Sequence, residues 1–275
     1  MAPWSRRDGL SNAPSRIAGG DRFPDFKMTM DRPLLPRIRR RLWMEYLRAR
    51  YSLPSITLRD LGGKDDSALK PVMDDICMPP YASHGPKDHD DYEPLMRIAR
   101  DLPARTVFEI GTAHGNSVAN LCRHCPDAKV YTVNAPIEEQ TGRIVTFELT
   151  RDEIGRVYRA QGFESRVTQI FANSLHLDLN KYFSGPVIDL GIIDGCHDAD
   201  FVINDFMKVS PFIRPGGVVL LHDTHSSMVG HLFGSYLGCM ELRRRGFDIV
   251  HLKGTWWGSW RKPVGPSYNR LTAAS

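Results

Sequence analysis

The chain lacks the features that mark a membrane-spanning or secreted protein. No apolar run approaches the roughly 20 residues that a bilayer-spanning helix needs. The opening MAPWSRRDGL has no apolar stretch behind its charges, so no secretory signal is read there. Cysteine is scarce: five in 275 residues, an odd number without framework spacing, which argues against a disulfide scaffold and for a reducing compartment. A cytoplasmic location is the expectation. Internal repeats and a collagen-like period are also absent, and 41% hydrophobic with 25% charged residues is ordinary for a globular chain. Strong charge of one sign is missing too, but the net +4 is uneven. Residues 1–60 hold thirteen Lys and Arg against six Asp and Glu, and the rest of the chain 23 against 26.

That asymmetry separates an arm from a body. Residues 1–33, rich in Arg, Pro, Ser, Gly and Asp, show no periodicity and read as solvated chain. Between Leu34 and Tyr51 a short amphipathic helix is expected, with Ile38, Leu42 and Leu47 on one face and Arg37, Arg39, Arg40, Arg41, Arg48 and Arg50 over the rest. Residues 52–90 are broken by Pro and Gly. The arm is therefore taken as 1–60 and the globular domain as 61–275, with its core at 105–262. A helix over Tyr92–Leu102 stops at Pro103. Strands and helices then alternate. Strands are expected at Thr106–Ile110, Lys129–Val133, Arg166–Ala172, Val187–Ile193, Gly217–Leu221, Phe247–Leu252 and Thr255–Trp260. Helices are expected at Asn116–His124, Thr150–Ala160, Ala199–Phe212 and Met228–Arg245. The alternation predicts an α/β fold, a mostly parallel seven-stranded sheet with helices on both faces. In such sheets ligands bind beyond the carboxyl ends of the strands, so the polar residues there are the candidates for function.

The first strand runs into Glu109-Ile110-Gly111-Thr112-Ala113-His114-Gly115-Asn116-Ser117. Glycines spaced by four allow a tight turn and close approach of a ligand to the backbone before a helix begins. The dinucleotide pattern G-x-G-x-x-G does not fit, and no Gly-Lys-Ser/Thr follows as in a P-loop. The turn resembles motif I of class I S-adenosylmethionine (SAM) dependent methyltransferases. The fourth strand ends in Ile193-Asp194-Gly195-Cys196-His197. Pro215-Gly216-Gly217 follows, leading to Leu221-His222-Asp223-Thr224, with His222 25 residues after His197. Together these elements resemble the metal-dependent O-methyltransferases of the macrocin and cephalosporin-biosynthesis type, over roughly residues 105–262.

The resemblance implies a Rossmann-like methyltransferase that moves a methyl group from SAM to a hydroxyl, with a sugar of a natural product, polysaccharide or glycolipid as acceptor. It places Glu109, Gly111, Thr112, Ala113, Gly115 and Ser117 around the cofactor, with Asn134 at the ribose, Asn173 and Ser174 at the adenine, and Asp194 beside them. Asn134 stands where the family usually has Asp or Glu, and Glu138 or Glu139 is the alternative ribose partner. The metal set implied is Asp194, His222 and Asp223, where relatives often carry Glu at the position of His222. Mg²⁺ suits the carboxylates, and the histidine admits Mn²⁺ or Fe²⁺. His197, with Asp194, is the implied catalytic pair, since an imidazole titrates near neutrality and can take the substrate proton.

Other residues read as structural. Asp198 or Asp200 caps the following helix and Asp205 faces solvent; Cys122 and Cys125, a C-x-x-C without a second pair, are small buried side chains. His114, Trp256, Trp257 and Trp260 pack, His225 and His231 have no assigned role, and Pro79–Asp88 is read as a lid or a surface loop. An RNA methyltransferase whose basic arm tracks phosphates and a cofactor-binding partner subunit without activity are the alternatives, although nucleic acid is disfavoured by the slightly acidic body. The arm is also compatible with a peripheral membrane contact, and the chain with a homo-oligomer.

Overall fold

The structure is a computed structural model, which describes residues 52–61, 92–140, 149–225 and 233–265. The expected Arg-rich helix, the segment Pro79–Asp88 and His231 lie outside these residues. The strands are β1 (Ser55–Ile56), β2 (Thr106–Ile110), β3 (Lys129–Asn134), β4 (Val167–Phe171), β5 (Ile188–Ile193), β6 (Ile213–Leu221), β7 (Val250–Leu252) and β8 (Gly258–Arg261). The α-helices are α1 (Tyr92–Asp101), α2 (Asn116–His124), α3 (Arg156–Ala160), α4 (Ala199–Val209) and α5 (Phe233–Arg244). Among the described residues no helix is long and apolar enough to cross a membrane.

One eight-stranded sheet runs in the order β1-β7-β8-β6-β5-β2-β3-β4. All neighbours are parallel except β8, which is antiparallel to both β6 and β7. The strand order reverses between β2 and β5, which places a switch point where the ends of two central strands diverge. The eighth strand is β1: Ser55 and Ile56 pair with His251 and Leu252, so residues read as part of the arm enter the sheet.

Strand alternation sorts the apolar side chains to two cores. Phe108 and Ile110 of β2 join Val133, Ile193, Val219, Leu221, Phe206 of α4 and Tyr236 of α5 on one face. Val107 joins Leu190, Ile192, Val218, Leu220, Leu121 of α2 and Leu95 of α1 on the other. Every residue of β5 is buried, as a central parallel strand with both faces covered requires. Each such Leu, Ile or Phe contributes on the order of 1.5–3 kcal/mol by leaving water.

At the end of the sheet away from the site, the buried Asp189 of β5 accepts hydrogen bonds from Arg105 N and Thr106 N, both at 2.8 Å, and pairs with Arg214 of β6. One carboxylate thereby ties the beginnings of three strands together, with its charge balanced by a guanidinium. The segment expected as helix from Thr150 is helical only over α3. Gly155 lies at φ 72°, and Thr150 is held in a local turn by Glu153.

Candidate functional site

The turn after β2 is shaped by contacts that only glycine permits. Gly111 has φ 114°, and a Cβ there would lie 2.0 Å from the carbonyl oxygen of Asp194. Gly111 N and Thr112 N donate to Val133 O, and Asp194 N donates to Ile110 O. The ends of β2, β3 and β5 are thus laced together by backbone. Gly115 adopts the left-handed conformation at the start of α2, and Ala113 has φ 44°. Ala113 O and His114 O accept from Gly155 N and Val157 N, which fixes the turn from outside.

Several expected cofactor residues turn their side chains inward. Glu109 is buried and accepts from the hydroxyls of Ser117 and Thr132. Thr112 and Thr132 share a 2.8 Å hydrogen bond, Gln169 Nε2 donates to Thr112 Oγ1 at 2.9 Å, and Tyr158 O–H donates to Gln169 Oε1 at 3.2 Å. Since Thr132 gives its proton to Glu109, Thr112 must donate to Thr132, and the chain runs one way from Tyr158 to Glu109. Glu109, Thr112 and Ser117 therefore brace the turn from behind with their side chains. Asn134 braces it too: its Oδ1 accepts from Ala113 N at 3.1 Å. At the end of β4, Asn173 Nδ2 donates to Glu139 Oε2 at 2.7 Å, and its Oδ1 accepts from Leu175 N. Glu139, an alternative ribose partner in the sequence, thus links the ends of β3 and β4. Ser174 is buried, and its carbonyl accepts from Asn204.

Burial pushes the Glu109 carboxyl up to about 7 from 4.5; the two hydroxyls pull against this and the Asp194 charge adds to it. A folded-state value above the unfolded one means that the native protein holds the proton longer. Its stabilisation is complete below pH about 4.5 and is lost as pH rises through about 7. Glu109→Gln is expected to cancel that loss. The difference in unfolding free energy between the two proteins should change by about 3 kcal/mol from pH 4.5 to 7.5, measured by urea denaturation.

The second half of the site comes from β5 and β6, which are neighbours. Asp194 Oδ1 lies 3.1 Å from His222 Nδ1, and that nitrogen lies 3.4 Å from Asp223 Oδ1. The other oxygen, Asp223 Oδ2, lies 3.3 Å from His197 Nδ1. Ser235 Oγ of α5 is also 3.3 Å from His197 Nδ1. Asp223 is buried and has φ 56°, an uncommon conformation for a residue with a side chain and one that recurs at functional sites. A grip from the β7–β8 segment holds it: Thr224 N donates to Trp256 O, Thr224 Oγ1 is 3.1 Å from His251 Nδ1, and a Cβ on Gly258 would press on Thr224 Cγ2 at 2.9 Å. His222 packs edge-on against Trp257, with ring centroids 4.5 Å apart.

The four residues expected to carry chemistry, Asp194, His197, His222 and Asp223, are brought together, but not as a metal cage. Among the described residues no group of three or more His, Cys, Asp and Glu side chains is arranged to hold a metal ion. The expected trio of Asp194, His222 and Asp223 instead forms carboxylate–imidazole pairs, with one ring nitrogen reaching both carboxylates. That donor set fits Mg²⁺ poorly, since Mg²⁺ takes oxygen ligands, while an imidazole beside two carboxylates suits Mn²⁺ or Fe²⁺.

Other expectations divide. Asp205 is fully buried rather than exposed: its Oδ1 accepts from Asn204 at 2.8 Å, and burial raises its carboxyl to about 6. Asp198 stands at the N-cap of α4 without a side-chain bond, while its carbonyl accepts from Phe201 N and Val202 N. Cys122 and Cys125 are buried thiols pushed up to about 11, as small packing residues would be. Trp257 and Trp260 pack in the cores. Nothing in the sequence pointed to Ser235, Thr132 or Gln169, whose roles depend on elements far apart in the chain.

Residues 108–224 match the family model described as a methyltransferase domain. No curated protein matches the sequence. Among solved structures, an O-methyltransferase family protein of Burkholderia thailandensis is 16% identical, with a TM-score of 0.44 over 64% of this chain and 59% of that one. The chain therefore spans less than two thirds of that protein's length. TomG, an O-methyltransferase of Streptomyces achromogenes involved in tomaymycin synthesis and solved with SAM, is 20% identical, with a TM-score of 0.44 over 62% of this chain and 78% of that one. A methyltransferase of Podospora anserina solved with SAH is 13% identical, with a TM-score of 0.48 over 86% of this chain and all of that one (100%). From the glycine turn on β2 to the Asp223–Thr224 end of β6, the strand-end residues of the site lie within the stretch that matches the methyltransferase-domain model.

Proposed function

We propose that the protein is a SAM-dependent O-methyltransferase whose acceptor is a hydroxyl, in the first place that of a sugar in a natural product, polysaccharide or glycolipid. One observation carries the reading. At the end of β5, next to the glycine turn, stands an imidazole whose Nδ1 faces a buried carboxylate. Methyl transfer from a sulfonium is an in-line displacement. The S–CH₃ bond breaks, the O–CH₃ bond forms, and the hydroxyl proton must leave. With Nδ1–H donated to Asp223, His197 presents Nε2 as its basic nitrogen and takes that proton. The products are the methyl ether, S-adenosylhomocysteine (SAH) and a protonated His197, which Asp223 stabilises. The turn at Gly111–Gly115 offers backbone to the cofactor without side-chain obstruction. The sugar acceptor rests on the resemblance, and a cytoplasmic setting on the scarcity and spacing of cysteine. Metal dependence, which the resemblance also implies, forms no step of this mechanism.

The test is transfer from methyl-labelled SAM by the full chain to a panel of glycosides, polysaccharides, catechols and RNA. Label is expected on sugar hydroxyls. Label on RNA, or SAH binding with no transfer to any hydroxyl, would overturn the reading in favour of the RNA enzyme or the partner subunit.

A further inference from the structure

We propose that Tyr158 and Asn134 are positioning residues for the cofactor: from two sides they clamp the strained Ala113 of the glycine turn, so that the turn meets SAM in one fixed conformation. The inference rests on the SAM-dependent reading of that turn and deepens it.

Ala113 carries a Cβ and still lies at φ 44°, a left-handed conformation that such residues keep only where their surroundings impose it. Both of its backbone polar groups are engaged. Ala113 N donates to Asn134 Oδ1 at 3.1 Å, and Ala113 O accepts from Gly155 N at 2.8 Å. One residue on, His114 O accepts from Val157 N at 2.9 Å. The end of β3 thus grips the turn on one side, and the start of α3 on the other.

The α3 side is set by Tyr158, whose ring lies in a slot that two glycines leave open. A Cβ on Gly115 would come 2.7 Å from Tyr158 Cδ1, and one on Gly155 would overlap the ring more closely still. The Tyr158 hydroxyl donates to Gln169 Oε1 at 3.2 Å, and Gln169 Nε2 donates to Thr112 Oγ1 at 2.9 Å. Tyr158 therefore bears on the turn before and after Ala113, through Gln169 at Thr112 and through its ring at Gly115. It is buried in the core shared with α1 and α2, so it acts on the cofactor only through the turn.

The β3 side explains an amide at position 134. Its Oδ1 accepts from Ala113 N while its Nδ2 donates to Ala135 O at 3.2 Å. A carboxylate would keep the first bond but set acceptor against acceptor at Ala135 O.

The test is calorimetric titration of SAH into the full chain, with unfolding free energies from urea denaturation. Wild type is compared with Tyr158→Leu, Tyr158→Phe, Asn134→Leu and Asn134→Asp. Phe183→Leu, in the opposite core, loses packing without touching the turn. Tyr158→Leu and Asn134→Leu are expected to weaken SAH binding about tenfold or more, and Tyr158→Phe, which keeps a ring in the slot, by no more than about threefold. Asn134→Asp should bind more weakly than wild type, and Phe183→Leu equally well. Wild-type affinity in Tyr158→Leu, or a loss no larger than that of Phe183→Leu, would overturn the proposal, because the ring would then serve stability alone. Tighter binding by Asn134→Asp would overturn it too, since residue 134 would then be a ribose ligand. Should Tyr158→Leu fail to fold, the two Asn134 variants decide. Absent SAH binding by wild type would instead overturn the SAM-dependent reading, and the clamp with it.

Discussion

Replacing His197 by alanine is expected to lower the rate of methyl transfer by about 10²–10⁴-fold while leaving SAH affinity within about twofold. The split follows from position. His197 sits at the end of β5 with its Nδ1 on Asp223, whereas the backbone lacing that shapes the cofactor turn involves Gly111, Thr112, Asp194 and Val133 and does not pass through the imidazole. Single-turnover transfer from labelled SAM, with SAH binding followed by calorimetry, checks both halves. Asp223→Asn should retain the fold and lose most of the rate, because an amide can still occupy the pocket but cannot stabilise an imidazolium. Ser235→Ala removes a neighbour of the same nitrogen and should cost far less. A His197→Ala protein that kept its rate would remove the proton-acceptor assignment, and loss of SAH binding with the rate would give the histidine a structural role instead.

The second large effect belongs to Gly111. A methyl group there would lie 2.0 Å from the carbonyl oxygen of Asp194 and 2.5 Å from its carbonyl carbon, and the backbone at φ 114° is one that L side chains rarely adopt. Backbone cannot swing aside as a flexible side chain can. Gly111→Ala must therefore push the β2 turn away from the β5 end or unfold both. The expected cost exceeds about 3 kcal/mol in urea denaturation, with loss of SAH binding. Gly162→Ala is the matched control. Gly162 also has positive φ, 73°, but nothing lies within 4 Å of an added Cβ, so only the conformational cost of about 1 kcal/mol should appear.

How much of this was legible in the sequence differs by level. The central strands were, because β2, β5 and β6 are dense in Val, Ile and Leu; β2 and β5 lie within a residue of their expected limits, while β6 starts at Ile213, before the Pro215-Gly216-Gly217 that was read as its boundary. The two-residue β1 was not. Ser55–Ile56 carries no pattern and exists only because β7 offers it an edge. The helix expected from Thr150 was shortened for a local reason, since Gly155 interrupts the backbone and its contact with the β2 turn outweighs propensity. In the site, strand ends told where Asp194, His197, His222 and Asp223 would meet. They could not tell which way side chains turn. Glu109, Thr112 and Ser117 lie on the motif that approaches the ligand, yet Glu109 and Thr112 are engaged with Thr132 and Gln169, residues 20 and more positions away, and Ser117 donates to Glu109. Asp205 was misread as solvent-facing for the same reason: its partners lie on the β4 end and on its own helix.

The small strand β1 also bears on how far the chain can be trimmed. It is parallel to β7 at one margin of the sheet, and His251 N and Lys253 N donate to Pro54 O and Ile56 O. Cutting at residue 61, where the charge pattern suggests a boundary, would strip those acceptors away and leave β7 with a row of unanswered amide donors. A bare margin of that kind recruits strands from other molecules. The basic segment thus ends in a stopper for the sheet, and two residues of it keep the protein from offering its own edge as a seed for self-association.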